Sequence, residues 1–189
     1  KYTIFLLSLI FLFSFQSSVF AQESDDQPIE YSVATSLVSI GEIDKKIGTY
    51  ELDFWYSIFA EGYDLTVIPP PEVDFVNGKN EQISSQYLAS NIYEQRVRGT
   101  FVNTMDFHNF PFEKIKLKVD IEPVTPWSTE RVILKVDPAS GVDETANVPG
   151  WFVTDPNFSV IEKTYRTSGE SYSRYVAEFT VERSPLGSF

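Results

Sequence analysis

An antiparallel, all-β sandwich is what this sequence predicts, and three observations carry the prediction. Apolar and polar residues alternate with a period of two over strand-length stretches. Clusters of Pro, Gly, Ser and Asp interrupt those stretches. After the apolar first segment no helical periodicity is sustained, and no internal repeat occurs. Many strands joined by turns, with 10 Tyr and 16 Phe to fill an interior, suit two packed sheets. At 189 residues the chain is long enough for one domain with a real core and short for two.

Residues 1–21 read as a secretory signal. Lys1 supplies a positive end, and residues 2–15 (YTIFLLSLIFLFSF) are almost unbroken apolar sequence. Val19 and Ala21 are small enough to suit cleavage after Ala21. The apolar run is shorter than the roughly 20 residues that a spanning helix needs. Residues 22–30, beginning QESDDQP, read as a flexible leader. The sandwich is expected over residues 31–185.

Within it, Tyr31, Val33, Thr35, Leu37 and Ser39 alternate with Ser32, Ala34, Ser36, Val38 and Ile40. Tyr50, Leu52, Phe54, Tyr56 and Ile58 alternate with Glu51, Asp53, Trp55, Ser57 and Phe59. Between these two strands, residues 41–46 (GEIDKK) read as a polar turn. Pro69-Pro70-Pro71 interrupts the chain, because proline fixes φ and removes a donor. Further strands are predicted over residues 91–101, 114–121, 131–136, 158–166 and 172–183. Residues 137–149 read as a long polar loop, and 167–171 (TSGES) as the turn of a hairpin. Trp55 shares the polar face of its strand with Glu51, Asp53 and Ser57, and a large aromatic there calls for a cover.

Composition removes several function classes. The absence of cysteine removes thiol catalysis, thiolate metal sites and disulfides. A net charge of −12 disfavours nucleic acid and anionic lipid as partners. His108 is the one histidine, and it stands among loop aromatics. No HExxH, phosphate-loop or EF-hand pattern is present. The acidic pairs Asp25-Asp26 and Asp143-Glu144 lie in polar loops and read as solvated. Neither an enzyme nor a cofactor is expected.

The most informative stretch is residues 103–120 (NTMDFHNFPFEKIKLKVD). Asp106 is followed by three residues and then by Phe110-Pro111-Phe112-Glu113. This resembles the signature loop of the pentameric ligand-gated ion channels. In animal members two cysteines close that loop, and their positions fall here on Asn103 and Leu117. The lack of cysteine is similar to prokaryotic members. Other segments follow in the family's order. Residues 71–77 (PEVDFVN) resemble its segment after the second strand, with Pro69 where a Trp is usual. Pro149-Gly150-Trp151 is also similar. Glu182-Arg183-Ser184-Pro185 resembles the end of the last strand, where the first membrane helix begins. Residues 186–189 are then the start of that junction.

The resemblance implies an immunoglobulin-like sandwich of about ten strands, as in the ligand-binding domain of these channels. It implies export to the extracellular or periplasmic face of a membrane and assembly as a homopentamer. It also implies a small-molecule or proton ligand bound between neighbouring copies, under the last hairpin. Transferred residue by residue, the ligand-binding candidates are Trp55, Asp74, Phe75, Trp127, Tyr165, Arg166 and Tyr172. Trp55 would face the neighbour's site. The first-loop tyrosine of an amine-binding cage falls on Val76, so that cage is incomplete, and an amine, a carboxylate or a proton all remain open. The coupling candidates at the membrane-facing end are Asp44, Lys45, Asp106, Phe110, Pro111, Phe112, Glu113 and Arg183. Glu113 is expected to pair with Arg183. The residues themselves leave open a soluble binding protein of this fold, an unrelated exported sandwich, or an exported hydrolase.

Overall fold

The computed structural model describes residues 27–105 and 114–183. Ten strands follow one another, with no helix among the described residues. They are β1 (Ile29–Asp44), β2 (Thr49–Ala60), β3 (Val73–Phe75), β4 (Gly78–Leu88) and β5 (Ile92–Val102). After these come β6 (Lys114–Pro123), β7 (Val132–Val136), β8 (Gly141–Asn147), β9 (Trp151–Thr164) and β10 (Ser171–Arg183). The larger sheet has the order β4-β5-β2-β1-β7, with β8 also on β1, and the smaller sheet has the order β3-β6-β10-β9. The predicted sandwich is therefore the observed architecture.

Period-two alternation does what it should. Tyr50, Leu52, Phe54, Tyr56 and Ile58 of β2 face Ile115, Leu117, Val119 and Ile121 of β6 and Tyr175, Ala177, Phe179 and Val181 of β10 across one core. Aromatic rings fill its centre. Phe54 lies 5.8 Å from Phe75 and 5.7 Å from Phe101, both in inclined, edge-favouring geometries.

Asn77 joins the two sheets. Its Nδ2 donates to the carbonyls of Val102 in β5 and Lys118 in β6, at 3.1 and 2.8 Å. Its Oδ1 accepts from the amide of Asp120 at 2.9 Å. Beside it the Tyr50 hydroxyl donates to the Lys118 carbonyl and accepts from the Lys118 amide. Burial pushes the Tyr50 phenol far above its ordinary pKa.

Several expectations are corrected. Ile29 and Glu30, read as leader, belong to β1, where Ile29 pairs with Val132. The turn expected over 41–46 is shorter, since β1 runs on to Asp44, paired with Thr49. A bulge between Leu37 and Ser39 shifts the face of β1, so Ile40 rather than Ser39 enters the core. The loop expected over 137–149 contains β8, aligned parallel on β1, and β7 is parallel to β1 as well. The sheets are thus antiparallel apart from these two pairings. The strand expected over 158–166 is the longer β9, which begins at Trp151 and ends before Arg166. Strand β4 carried no sequence signal, because almost all of its residues are exposed on both faces and nothing imposes alternation.

Candidate functional site

Chemistry-bearing side chains gather at the two ends of β10. At its start, the β9–β10 turn curls over a cleft of about 360 Å³. The turn is closed by the Tyr165 amide on the Glu170 carbonyl at 2.9 Å and the Gly169 amide on the Tyr165 carbonyl at 2.8 Å. Gly169 has φ +76°, which a side chain would resist. The cleft is lined by Asp74 of β3, Glu122 and Pro123 of β6, Val124 and Thr125 after it, and Tyr165, Thr167, Ser168, Glu170 and Tyr172 of the hairpin.

Glu122 of the lining belongs to a buried ion pair behind the cleft. Arg174 Nε donates to Glu122 Oε2 at 2.8 Å. Tyr165 links the hairpin to that pair, donating to Glu122 Oε1 at 2.8 Å and accepting from Arg174 Nη2 at 2.9 Å. Burial, then the bond to Glu122, raises the Tyr165 pKa. Burial works against the Arg174 charge, but Glu122, Tyr165 and Asp120 together outweigh it and hold the guanidinium above its ordinary pKa. On the opposite wall the Tyr172 hydroxyl donates to Glu170 Oε2 at 2.8 Å and lies 2.9 Å from Thr125 Oγ1. The two tyrosine rings meet edge to face at 5.8 Å. Among the described residues lining the cleft are three carboxylates and no basic side chain. One of these carboxylates, Glu122, is neutralised by Arg174.

Of the sequence-derived ligand candidates, Asp74, Tyr165 and Tyr172 converge on this cleft. Phe75 does not, because its ring is part of the core. Trp127 packs against the core edge, and its amide donates to the Val124 carbonyl at 2.9 Å. Arg166 is exposed in the turn and does not line the cleft. Trp55 stands in the other sheet, half-buried under Arg96, whose Cζ lies 5.9 Å from the ring centre. That guanidinium is the cover its polar face called for. Arg96 and Arg98 both bond Asp53, at 2.8 and 2.5 Å. Burial acts to raise the Asp53 pKa, but the bonds and charges of the two arginines together hold it below the ordinary carboxylate value.

The other end of β10 meets the β1–β2 turn. Asp44 Oδ1 accepts from the amides of Lys46 and Ile47 at 2.8 and 3.4 Å, and the Gly48 amide donates to the Asp44 carbonyl at 3.0 Å. Gly48 has φ +71°, and a Cβ there would come within 2.6 Å of the Asn103 carbonyl. The Asn103 amide in turn donates to the Gly48 carbonyl at 3.0 Å. Asn103, one of the two positions compared above with the loop cysteines, donates from Nδ2 to the Lys116 carbonyl at 3.0 Å. Leu117, the other such position, is buried in the core. Lys45 and Arg183 meet at Trp151, with Lys45 Nζ 5.6 Å and Arg183 Cζ 5.8 Å from its ring centre. Asp106, Phe110, Pro111, Phe112 and Glu113 lie outside the described residues, and so does the expected Glu113–Arg183 pair.

Sequence reasoning missed Glu122, Thr125, Glu170 and Arg174. Glu122 and Arg174 lie on the non-core faces of their strands, a signal visible as alternation. That they face each other depends on the β6–β10 register, in which Tyr175 pairs with Ile121. Among the described residues no group of three or more His, Cys, Asp or Glu could hold a metal. No protein-family model matches the chain, and no curated protein matches it.

Proposed function

We propose that this chain is the extracellular ligand-binding domain of a pentameric ligand-gated ion channel, and that the hairpin cleft admits a small organic cation. The observation that carries the reading is the course of β10. This single strand of 13 residues begins at the cleft with Tyr172 and ends beside the β1–β2 turn with Arg183. At about 3.4 Å per residue it spans roughly 40 Å, so an event at the hairpin is joined by continuous backbone to the other end. The ordered motifs from residue 71 to residue 185 favour the same reading.

The lining supports this ligand class. Asp74 and Glu170 provide negative charge beside the Tyr165 and Tyr172 rings, while Glu122 is already neutralised by Arg174. Trp55 lies on a different sheet from the cleft of its own copy, and a neighbouring copy could use it. Ligand drives opening only to the extent that it binds the open arrangement better than the closed one.

The test is expression of the full-length gene product in oocyte membranes, with tetramethylammonium, small primary amines and acid steps applied in turn. The expected result is a pentamer on solubilisation and a current evoked by the cations, weakened at least tenfold by Asp74→Asn with Glu170→Gln. A monomer that passes no current under any of these conditions would overturn the reading and favour a soluble binding protein of the same fold.

A further inference from the structure

Asn77-Gly78 is the one Asn-Gly pair in the chain, and it stands at the junction of the two sheets. We propose that it is a site of spontaneous covalent modification, at which an opened junction is converted into one that cannot close again. Nothing in this depends on the channel reading.

The chemistry needs only these two residues and solvent water. The Gly78 nitrogen attacks Asn77 Cγ and gives up its proton, and Asn77 Nδ2 departs as ammonia. A cyclic succinimide is left. Water then opens one of its two carbonyls. Opening at one returns an aspartate on the original main chain. Opening at the other leaves an isoaspartate, whose main chain runs through Cγ. Glycine makes the pair reactive, because it has no Cβ to crowd the attacking nitrogen or to resist the bend into the ring.

The fold holds this reaction off. Nδ2, the leaving group, uses its hydrogens on the carbonyls of Val102 and Lys118 at 3.1 and 2.8 Å. Oδ1 is held by the Asp120 amide at 2.9 Å. The main chain is fixed as well, since the Val76 amide donates to the Asp120 carbonyl and the Val102 amide to the Asn77 carbonyl, each at 2.9 Å. Nδ2 cannot leave until its bonds break, so the reaction proceeds from opened molecules. Neither residue is easily exchanged. The junction needs a group that both donates and accepts at residue 77. A Cβ on Gly78 would lie 3.0 Å from the Phe75 carbonyl and closer still to Glu81.

The products do not fit the place that the carboxamide filled. Aspartate turns acceptor oxygens toward the Val102 and Lys118 carbonyls, so two attractions become repulsions. Isoaspartate lengthens the main chain between residues 77 and 78. There the Asn77 carbonyl meets the Val102 amide, and Gly78 pairs with Phe101 to begin β4. An opening that closes before cyclisation leaves no trace, and one that outlasts it is permanent.

The test holds the purified chain at mildly alkaline pH, with and without denaturing urea, and digests samples with trypsin at intervals. The tryptic fragment of residues 47–79 is followed by mass for conversion of carboxamide to acid. Isoaspartate in it is counted with a protein isoaspartyl methyltransferase. In urea, Asn77 should convert faster than every other asparagine of the chain. In native buffer it should convert at least tenfold more slowly than in urea. After the urea is diluted away, modified molecules should be enriched among those that do not return to the native peak in gel filtration. Asn77→Asp, which carries the modified side chain on an unaltered main chain, should unfold at lower urea than wild type. Should that variant not fold, the modified fraction of the wild-type chain supplies the same comparison. Conversion in urea no faster than at the other asparagines overturns the site. Equal rates in the two buffers overturn the protection by the junction. Modified molecules that refold as fully as unmodified ones overturn the one-way step.

Discussion

The two ends of β10 are held by different physics. At the cleft end, Arg174, Glu122 and Tyr165 form a closed set of short hydrogen bonds around a buried ion pair. At the other end, Lys45 and Arg183 both lie within cation–π distance of the Trp151 ring. Buried, charge-assisted bonds fix one geometry and are costly to break. Cation–π contacts at a half-exposed ring are weaker and tolerate displacement.

The sharpest way to break this comparison is to remove the ion pair behind the cleft. Arg174→Met leaves Glu122 buried and unpaired, and chemical denaturation should show a loss of about 3–5 kcal/mol. Adding Glu122→Leu should recover most of that loss, because the unpaired Glu122 carboxylate is then gone and the buried Asp120 keeps Lys118 as its partner. Recovery absent in the double variant would mean that packing, not charge, dominates there.

Asn77 belongs to both ends, since it joins the sheets between them. Asn77→Ala removes three hydrogen bonds while the Tyr50 hydroxyl still serves the Lys118 carbonyl, and a loss of about 2–3 kcal/mol is expected by the same method. A loss below about 1 kcal/mol would show that the Tyr50 hydroxyl alone suffices to hold the sheets together.

Acid should act through the larger sheet. Asp53 has its folded pKa depressed by Arg96 and Arg98, so its contribution is complete above its unfolded value of about 3.9. That contribution is lost as the pH falls through the still lower folded value. Unfolding free energy measured between pH 5 and pH 2 should therefore fall less steeply in Asp53→Asn, judged by slope rather than by height. Equal slopes would remove Asp53 from the account.

The smallest effects are expected where contacts are half-exposed. Trp55→Leu should cost about 1 kcal/mol or less in stability. If Trp55 serves a neighbour's ligand, the same Trp55→Leu change should weaken the response to tetramethylammonium at least tenfold. A stability loss several times larger, with an unchanged response, would make Trp55 a packing residue only.

Much of the fold was legible because it depends on local alternation. The faces of β2, β6 and β10 follow from every second residue, and the hairpin turn from Gly169 and its polar neighbours. Strand β4 was not legible, because exposure on both faces leaves no pattern to read. Strand β8 was hidden in a polar segment whose strand character comes from its pairing with β1. The bulge after Leu37 changed which residues of β1 enter the core, and no residue type announces it. In the candidate site, Asp74, Tyr165 and Tyr172 could be named from their positions relative to motifs. Phe75 was named with them and went to the core, since neighbours in a strand point to opposite sides.

By itself, then, the sequence determined the fold class, the core-facing residues of the long strands, the place of the last hairpin and the absence of covalent cross-links. These are matters of period, turn chemistry and composition, which act within a few residues. Tertiary structure alone decided that Glu122 faces Arg174 beneath Tyr165, that Asn103 spans to Lys116, and that Lys45 and Arg183 meet at Trp151. Each of these joins residues far apart in the chain. Their meeting depends on strand register and sheet order, which one-dimensional patterning leaves undetermined.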